Sequence, residues 1–304
     1  MVLAEKKQNS LSLERKMKSD IELINSYLDK YLEIRYPHVI WEAMRYSVLA
    51  KGKRIRPVLM LESAKACHGD INNVIPAACA LEMLHCQSLI HDDLPCMDND
   101  DYRRGQLTNH KIYGEATAVL AGDALLAYAP QVILNYTPES VDRKILLQVL
   151  DEFLKAAGAM GIVGGQVVDI ESESKEIDLN TFNYILMHKT GELFKFAVRA
   201  GALLSQAEEE KLNALTSYGE KIGYAFQIAD DILDVTGTLE EIGKTPGKDH
   251  KLKKNTYVSF YGIEKSRKDL ENICESAKKI LVDSGINSEL LFNIANNIVM
   301  KAVK

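Results

Sequence analysis

Pro76-AACALEMLHCQSLIHDDLPCM-Asp98 begins as an apolar run and ends in carboxylates. Proline suits a first helical turn, where its missing N–H removes no bond. After Pro76, Ala77, Leu81, Leu84 and Ser88 recur at steps of four, three and four, and no β-branched residue intervenes before Ile90. That spacing predicts a helix leading directly to Asp92. Asp92 and Asp98 are six apart, so an unbroken helix would turn them away from each other. Pro95 cannot continue regular helical hydrogen bonding; the helix must kink or end there, and a distorted turn can return Asp98 to Asp92.

Helical periodicity extends outward from this stretch. Residues 21–31, 39–50, 56–66, 115–128, 143–157, 181–203, 208–235 and 266–282 are further helical candidates, mostly rich in Ala, Leu, Glu and Lys. No alternating strand pattern and no repeat of fixed period stands out. The expected fold class is all-α. No Pro/Gly/Ser-rich linker divides the 304 residues, so 1–304 reads as one domain with 1–19 as its loosely ordered edge.

Composition narrows the function. A formal net charge of −6 argues against nucleic acid as a partner, because phosphate-backbone binding needs excess Lys and Arg. Cys67, Cys79, Cys86, Cys96 and Cys274 are odd in number and lack C-x-x-C spacing, which fits a reduced compartment and small apolar side chains. Glu5, Lys6, Lys7, Gln8 and Asn9 interrupt the apolar core a signal peptide needs. No long uncharged apolar run is present to span a bilayer, so no stable membrane insertion and a cytoplasmic location are expected.

A second cluster, Asp230-Asp231-Ile232-Leu233-Asp234, follows the first by 138 positions and also closes an apolar helical stretch. Asp230 and Asp234, four apart, stack on one helical face with Asp231 beside them. Carboxylates massed in apolar surroundings repel one another and lose hydration, so cations must neutralise them. Mg²⁺ is the natural choice: it takes hard oxygen ligands and is usually bound by one or two carboxylates plus the oxygens of a substrate phosphate. One short acidic motif is ordinarily a solvated loop; two, each after an apolar helix, point to a magnesium-bridged diphosphate. The candidate metal ligands are Asp92, Asp93, Asp98, Asp230, Asp231 and Asp234.

Cations stand where a diphosphate needs them. Arg103 and Arg104 follow the first cluster, and Lys51-Gly52-Lys53-Arg54-Ile55-Arg56-Pro57 places four cations around one glycine. An arginine fork binds phosphate oxygens bidentately, and lysine adds a compact charge. His85, two helical turns before Asp92 on the same face, is placed to donate to phosphate. Alone, the basic stretch would be a surface turn and the histidine a packed side chain.

Together, Lys53-Arg54-x-Arg56-Pro57, His85-x5-His91-Asp92-Asp93-x4-Asp98, Arg103-Arg104-Gly105, Gly165-Gln166-x2-Asp169, Lys189-Thr190-Gly191 and Phe226-Gln227-x2-Asp230-Asp231-x2-Asp234 resemble the motifs of the trans-prenyl diphosphate synthases, in that family's order, over residues 46–257. The resemblance implies an isoprenoid synthase fold, with antiparallel helices around a deep central cavity, usually in a homodimer. It implies condensation of allylic diphosphates with isopentenyl diphosphate. In that family pattern Asp92, Asp98 and Asp230 hold Mg²⁺ against the allylic diphosphate, supported by Asp93, Asp231 and Asp234, and Arg103 contacts the same diphosphate. Lys53, Arg56, His85 and Arg104 cradle the diphosphate of isopentenyl diphosphate, while Lys189, Thr190 and Gln227 approach the reacting end of the allylic chain. Gln166 and Asp169 support the site or pack helices. Lys51 departs from the pattern by standing where the family often has a glycine, which implies a less flexible backbone.

Residues 237–255 lack an apolar period, and their place after the second cluster favours a lid whose Lys244 and Lys254 close over the diphosphate. Gln87 and Ser88, about one turn before Asp92, are the expected floor of the chain-growth pocket. Related short-chain enzymes stop at C15 with a large aromatic there. This chain has none at either position, which favours C20 geranylgeranyl diphosphate. Leu84, Leu125 or Tyr128, lying deeper, would instead close the pocket at farnesyl diphosphate. A terpene cyclase would not need the Lys53, Arg56 and His85 set, a metal phosphohydrolase would call for a set of metal histidines, and a non-catalytic partner subunit would have little use for both clusters.

Overall fold

The computed structural model describes residues 2–237 and 255–302. Helix α1 (Val2–Tyr31) is followed by α2 (His38–Val48), α3 (Ile55–Ala66) and α4 (Ile75–Asp92). A two-residue ladder pairs Tyr102–Arg103 antiparallel with Gln106–Leu107 and precedes α5 (Asn109–Tyr113), α6 (Glu115–Tyr136), α7 (Arg143–Ala157) and α8 (Ile162–Glu171). Next come α9 (Leu179–Ile185), a π-helical turn (Leu186–Gly191), α10 (Glu192–Leu204) and α11 (Glu209–Thr236). After residue 254 the described chain continues as α12 (Tyr257–Tyr261), α13 (Ile263–Asp283) and α14 (Glu289–Ala302).

The expected all-α class is what the chain adopts. Helix α4 is buried along most of its length because Ala77, Ala78, Cys79, Ala80, Leu81, Met83 and Leu84 leave it no polar face in its first half. Packed on several sides, such a helix forms the centre of a bundle. It lies along α6 in the most extensive helix pairing among the described residues, and α3 also packs on it; α10 joins α3 to α11, and α11 carries α13 and α14.

Several boundaries differ from the sequence expectation. The helix expected over 115–128 runs on to Tyr136 with Pro130 inside it. Residues 181–203 form α9, the π turn and α10 in succession. Helices α8 and α14 were not anticipated; Gly161, Gly164 and Gly165 make the first resemble a loop. The hairpin also lacked a signal, since two residues per strand cannot show alternation. Its turn places Arg104 and Gly105 at positive φ (54° and 79°), the geometry a two-residue hairpin requires.

Helix α6 is the most apolar of the long helices among the described residues. By length and composition it could cross a membrane, although Glu115 and Asp123 interrupt any uncharged run. Here it packs on α4 and α2 through Ala118, Ala121, Leu125, Ala129 and Val132. Val119, Leu120 and Leu134 on the same helix are exposed.

Candidate active site

The end of α4 sets the first acidic cluster. The Leu94 carbonyl accepts from the amides of Met97 and Asn99 (2.9 and 3.1 Å), and the Asp98 amide donates to the Asp92 carbonyl at 2.8 Å. The chain therefore folds back beyond Pro95 and sets Asp98 beside Asp92. Burial pushes the Asp92 carboxyl up to about 6; the charges of Asp98 and Asp93 add to this, while Lys189 and Arg103 oppose it. Crowded, poorly hydrated carboxylates of this kind attract a cation.

Asp93 faces elsewhere. It is buried, and its Oδ1 accepts from Nε and Nη2 of Arg103 at 2.9 and 2.5 Å. Arg103 also reaches Asp100 at 3.2 Å. Asp93 thus positions the arginine that follows the cluster.

The basic motif divides its labour in the same way. Arg54 caps α3 at positive φ (48°) with a buried side chain. Its guanidinium donates to Asn25 Oδ1 (2.9 Å), Glu82 Oε1 (2.5 Å) and the carbonyls of Val48 and Ala50 (2.7 and 2.9 Å). Arg54 is thereby taken up by the packing of α1, α2 and α4, and Lys53 on one side of it remains exposed. On the other side, the Arg56 guanidinium lies 4.6 Å from the Phe194 ring centre and 6.0 Å from that of Phe226. Burial lowers its pKa to about 10, against the pull of Glu82 and Asp230, so it stays charged near neutrality.

Glu82 lies outside the sequence motifs yet organises this region. It is 1% exposed and accepts from Arg54 and from Arg104 Nη2 (3.3 Å). A legible signal existed: it is the one charged residue between Ile75 and His85. Burial, followed by the guanidiniums of Arg56, Arg104, Arg103 and Arg54, holds the His85 pKa well below its ordinary value. The ring is neutral near pH 7 and retains one N–H to donate. Lys301, near the end of α14, was also unanticipated. Burial lowers its pKa and adjacent Lys53 lowers it further, while Asp230 opposes both.

The π turn joins the two clusters. Such turns displace consecutive side chains from the regular helical spiral. Lys189 pairs with Asp169 Oδ2 at 2.5 Å and its charge acts on Asp92. Gly165 lets α8 approach this closely, since a Cβ there would lie 2.3 Å from the Lys189 amide nitrogen. The next residue, Thr190, donates its hydroxyl to Gln227 Oε1 on α11 at 2.8 Å. Gln227 Nε2 donates to Asp231 Oδ1 (2.8 Å), whose Oδ2 accepts the Tyr257 amide (2.7 Å). Asp230 is exposed, whereas Asp231 and Asp234 are buried. Asp230 and Asp234 therefore share a helical face but not an environment.

The expected floor residues sit on the wall of α4. Gln87 is buried, and its Nε2 lies 3.1 Å from His91 Nδ1, whose Nε2 is in turn 3.1 Å from the Val119 carbonyl on α6. Ser88 donates to the His85 carbonyl at 2.9 Å. Behind the arginines, a small cleft opens between α2, α4 and the hairpin, lined by Tyr46, Leu89, Asp93, Arg103 and Arg104 among others. Lys244 and Lys254 lie outside the described residues.

Among the described residues no three His, Cys, Asp or Glu side chains form a group able to hold a metal ion. Mg²⁺ would not need such a group, because a protein commonly holds it by one or two carboxylates while phosphate and water complete the shell. The raised Asp92 carboxyl fits the chemistry of such a ligand, while Asp93 and Asp231 accept from protein donors.

Comparison with known proteins agrees with this chemistry. A family model described as polyprenyl synthetase matches residues 37–284. The chain is similar to geranylgeranyl diphosphate synthase of Cyanophora paradoxa, 46% identical over 279 residues covering 91% of this chain and 93% of that protein. It is also similar to farnesyl diphosphate synthase of Geobacillus stearothermophilus, 41% identical over 282 residues covering 92% and 95%. Among solved structures, an apo FPP/GFPP synthase from Zymomonas mobilis matches with a TM-score of 0.84 at 34% identity, covering 95% of this chain and 99% of that one.

Proposed function

The chain belongs to the polyprenyl synthetase family and is a short-chain trans-prenyl diphosphate synthase; from that premise we propose that it joins allylic diphosphates to isopentenyl diphosphate and yields mainly the C20 product, geranylgeranyl diphosphate. The observation that supports the two-substrate reading is the contrast between two charged groups of side chains. One is built of Asp92 and Asp98 facing Lys189 and Arg103; the other is a basic group of Arg56, His85 and Arg104 around buried Glu82. A cyclase working on one diphosphate has no use for the second.

In the first site, Mg²⁺ held by Asp92, Asp98 and Asp230, with Asp234 one turn on, would neutralise charge on the departing diphosphate. Arg103, aimed by Asp93, and Lys189, aimed by Asp169, bring fixed positive charge to the same oxygens. Lys53, Arg56 and Arg104 hold the diphosphate of isopentenyl diphosphate, and neutral His85 donates its N–H. Ionisation leaves an allylic cation near Thr190 and Gln227, whose oxygens favour positive charge in a dry pocket. The isopentenyl double bond then attacks, and the released diphosphate takes the proton, so no side-chain base is needed.

The C20 product follows from Gln87 and Ser88, neither of which is aromatic. Farnesyl diphosphate is the alternative, favoured by Tyr128, which is anchored to the Tyr31 carbonyl at 2.7 Å and set edge-on to Trp41. The exposed apolar residues of α6 support a homodimer, and the absence of disulfides among the described cysteines suits a cytoplasmic setting. Incubation with Mg²⁺, isopentenyl diphosphate and farnesyl diphosphate should give C20, identified by chromatography and mass. Product stopping at C15 from geranyl diphosphate would move the floor upward, and no prenyl product from any primer would overturn the proposal.

A further inference from the structure

Thr190, Gln227, Asp231 and the Tyr257 amide form one continuous line of hydrogen bonds, at 2.8, 2.8 and 2.7 Å. Its polarity is fixed from one end. An ionised carboxylate can only accept hydrogen bonds, so Asp231 must receive the NH₂ side of the Gln227 amide. A flipped amide would set oxygen against oxygen. The Gln227 carbonyl is therefore forced toward Thr190, and the Thr190 hydroxyl must spend its single proton on it. That hydroxyl then has only lone pairs to offer the cavity. Lone pairs, not a proton, are what an electron-poor carbon requires.

Asp231 receives the Tyr257 amide on its other oxygen and is 4% exposed, so both of its carboxylate oxygens accept from protein donors. Resting on the prenyltransferase reading above, we infer that Asp231 is a positioning residue, acting through Gln227 to orient the Thr190 hydroxyl toward the allylic cation, and not a magnesium ligand. The negative charge is relayed through two hydrogen bonds, and such networks strengthen when each donor is polarised by the next acceptor.

The test is an exchange of polarity. Asp231→Asn should lower kcat on the order of a hundredfold, the scale of losing one oriented dipole. KM for both substrates and the Mg²⁺ concentration giving half-maximal rate should stay within about twofold. Gln227→Glu should also impair turnover by opposing two carboxylates, increasingly so as pH rises and their shared proton leaves. The double variant Asp231→Asn, Gln227→Glu restores an acceptor facing Thr190 and a donor facing that acceptor, and should recover at least about tenfold over either single variant.

A rise in the Mg²⁺ requirement of Asp231→Asn, with kcat restored at saturating Mg²⁺, would make Asp231 a ligand and overturn the inference. A double variant no better than the worse single one would overturn it as well. If Asp231→Asn does not fold, the pH profile of Gln227→Glu and the comparison of Thr190→Val with Thr190→Ser decide: Val must lose what Ser keeps. Wild-type enzyme that makes no prenyl product would instead overturn the function on which the inference rests.

Discussion

The main-chain amide of Asp98 donates to the main-chain carbonyl of Asp92 across 2.8 Å, closing the turn that Pro95 forces at the end of α4. Two carboxylates that a regular helix would separate are thereby set side by side. Asp92→Ala and Asp98→Ala should each lower kcat on the order of 10³-fold if, as proposed, their charge holds the metal–diphosphate unit. Retention of even a tenth of wild-type turnover by either variant, with the fold intact by circular dichroism, would remove that residue from the metal site.

Glu82 offers a different kind of test because it is buried and its partners are the guanidiniums of Arg54 and Arg104. Glu82→Gln leaves the guanidiniums of Arg54 and Arg104 without their shared buried counter-charge. Loss of one partner from a buried ion pair costs about 3–5 kcal/mol. Urea unfolding should show a loss of that size, and KM for isopentenyl diphosphate should rise about tenfold as Arg104 loses its aim.

The pKa of His85 in the folded protein lies below its unfolded value of 6.5. As pH falls below 6.5 the unfolded chain takes up this proton first. The stability tied to the neutral ring is full above 6.5 and is lost toward the folded pKa, at up to about 1.4 kcal/mol per pH unit. Chemical denaturation at pH 7.5 and 5.5 should therefore show a larger acid loss for wild type than for His85→Gln. In the same range KM for isopentenyl diphosphate should show no histidine step.

Product length tests the Gln87 environment. A Cβ at Gly122 would lie 2.0 Å from His91 Nε2, so Gly122→Ala must displace the ring that pairs with Gln87. Overpacking costs about 1–3 kcal/mol, and the product distribution should change with it. Gln87→Tyr should shorten the main product by one C5 unit; an unaltered distribution in an active variant would place the floor elsewhere.

Leu120, 58% exposed in the apolar run of α6, should lie in a contact between two copies of the chain. Sedimentation of wild type should give a dimer and Leu120→Glu a monomer, because an unpaired carboxylate is costly to bury at an interface.

Much of the site was legible before any coordinates. The two aspartate clusters and the arginines after the first are short-range patterns that residue type and spacing are enough to mark, whereas the Lys189-Thr190 pair was marked only by the family resemblance. The Arg54 anchor and the aromatic faces beneath Arg56 belong to no local pattern, and Glu82 stands out only as a lone charge in an apolar run, with nothing to name its partners. Glu82 meets Arg54 from 28 positions away, and the Tyr257 amide meets Asp231 from 26.

The helical class and the return of Asp98 to Asp92 were determined by sequence alone, because helix periodicity and the limits of proline act within a few residues. Tertiary structure alone decided how the aspartates divide their work. Asp93 and Asp231 carry the same carboxylate as Asp92 and Asp230, but burial and a facing donor turn the first two into supports for Arg103 and Gln227. Spacing tells which face of a helix a side chain occupies. What stands opposite that face, and how much water remains there, is fixed only when distant helices pack, and those two quantities set the charge and partner of a carboxylate.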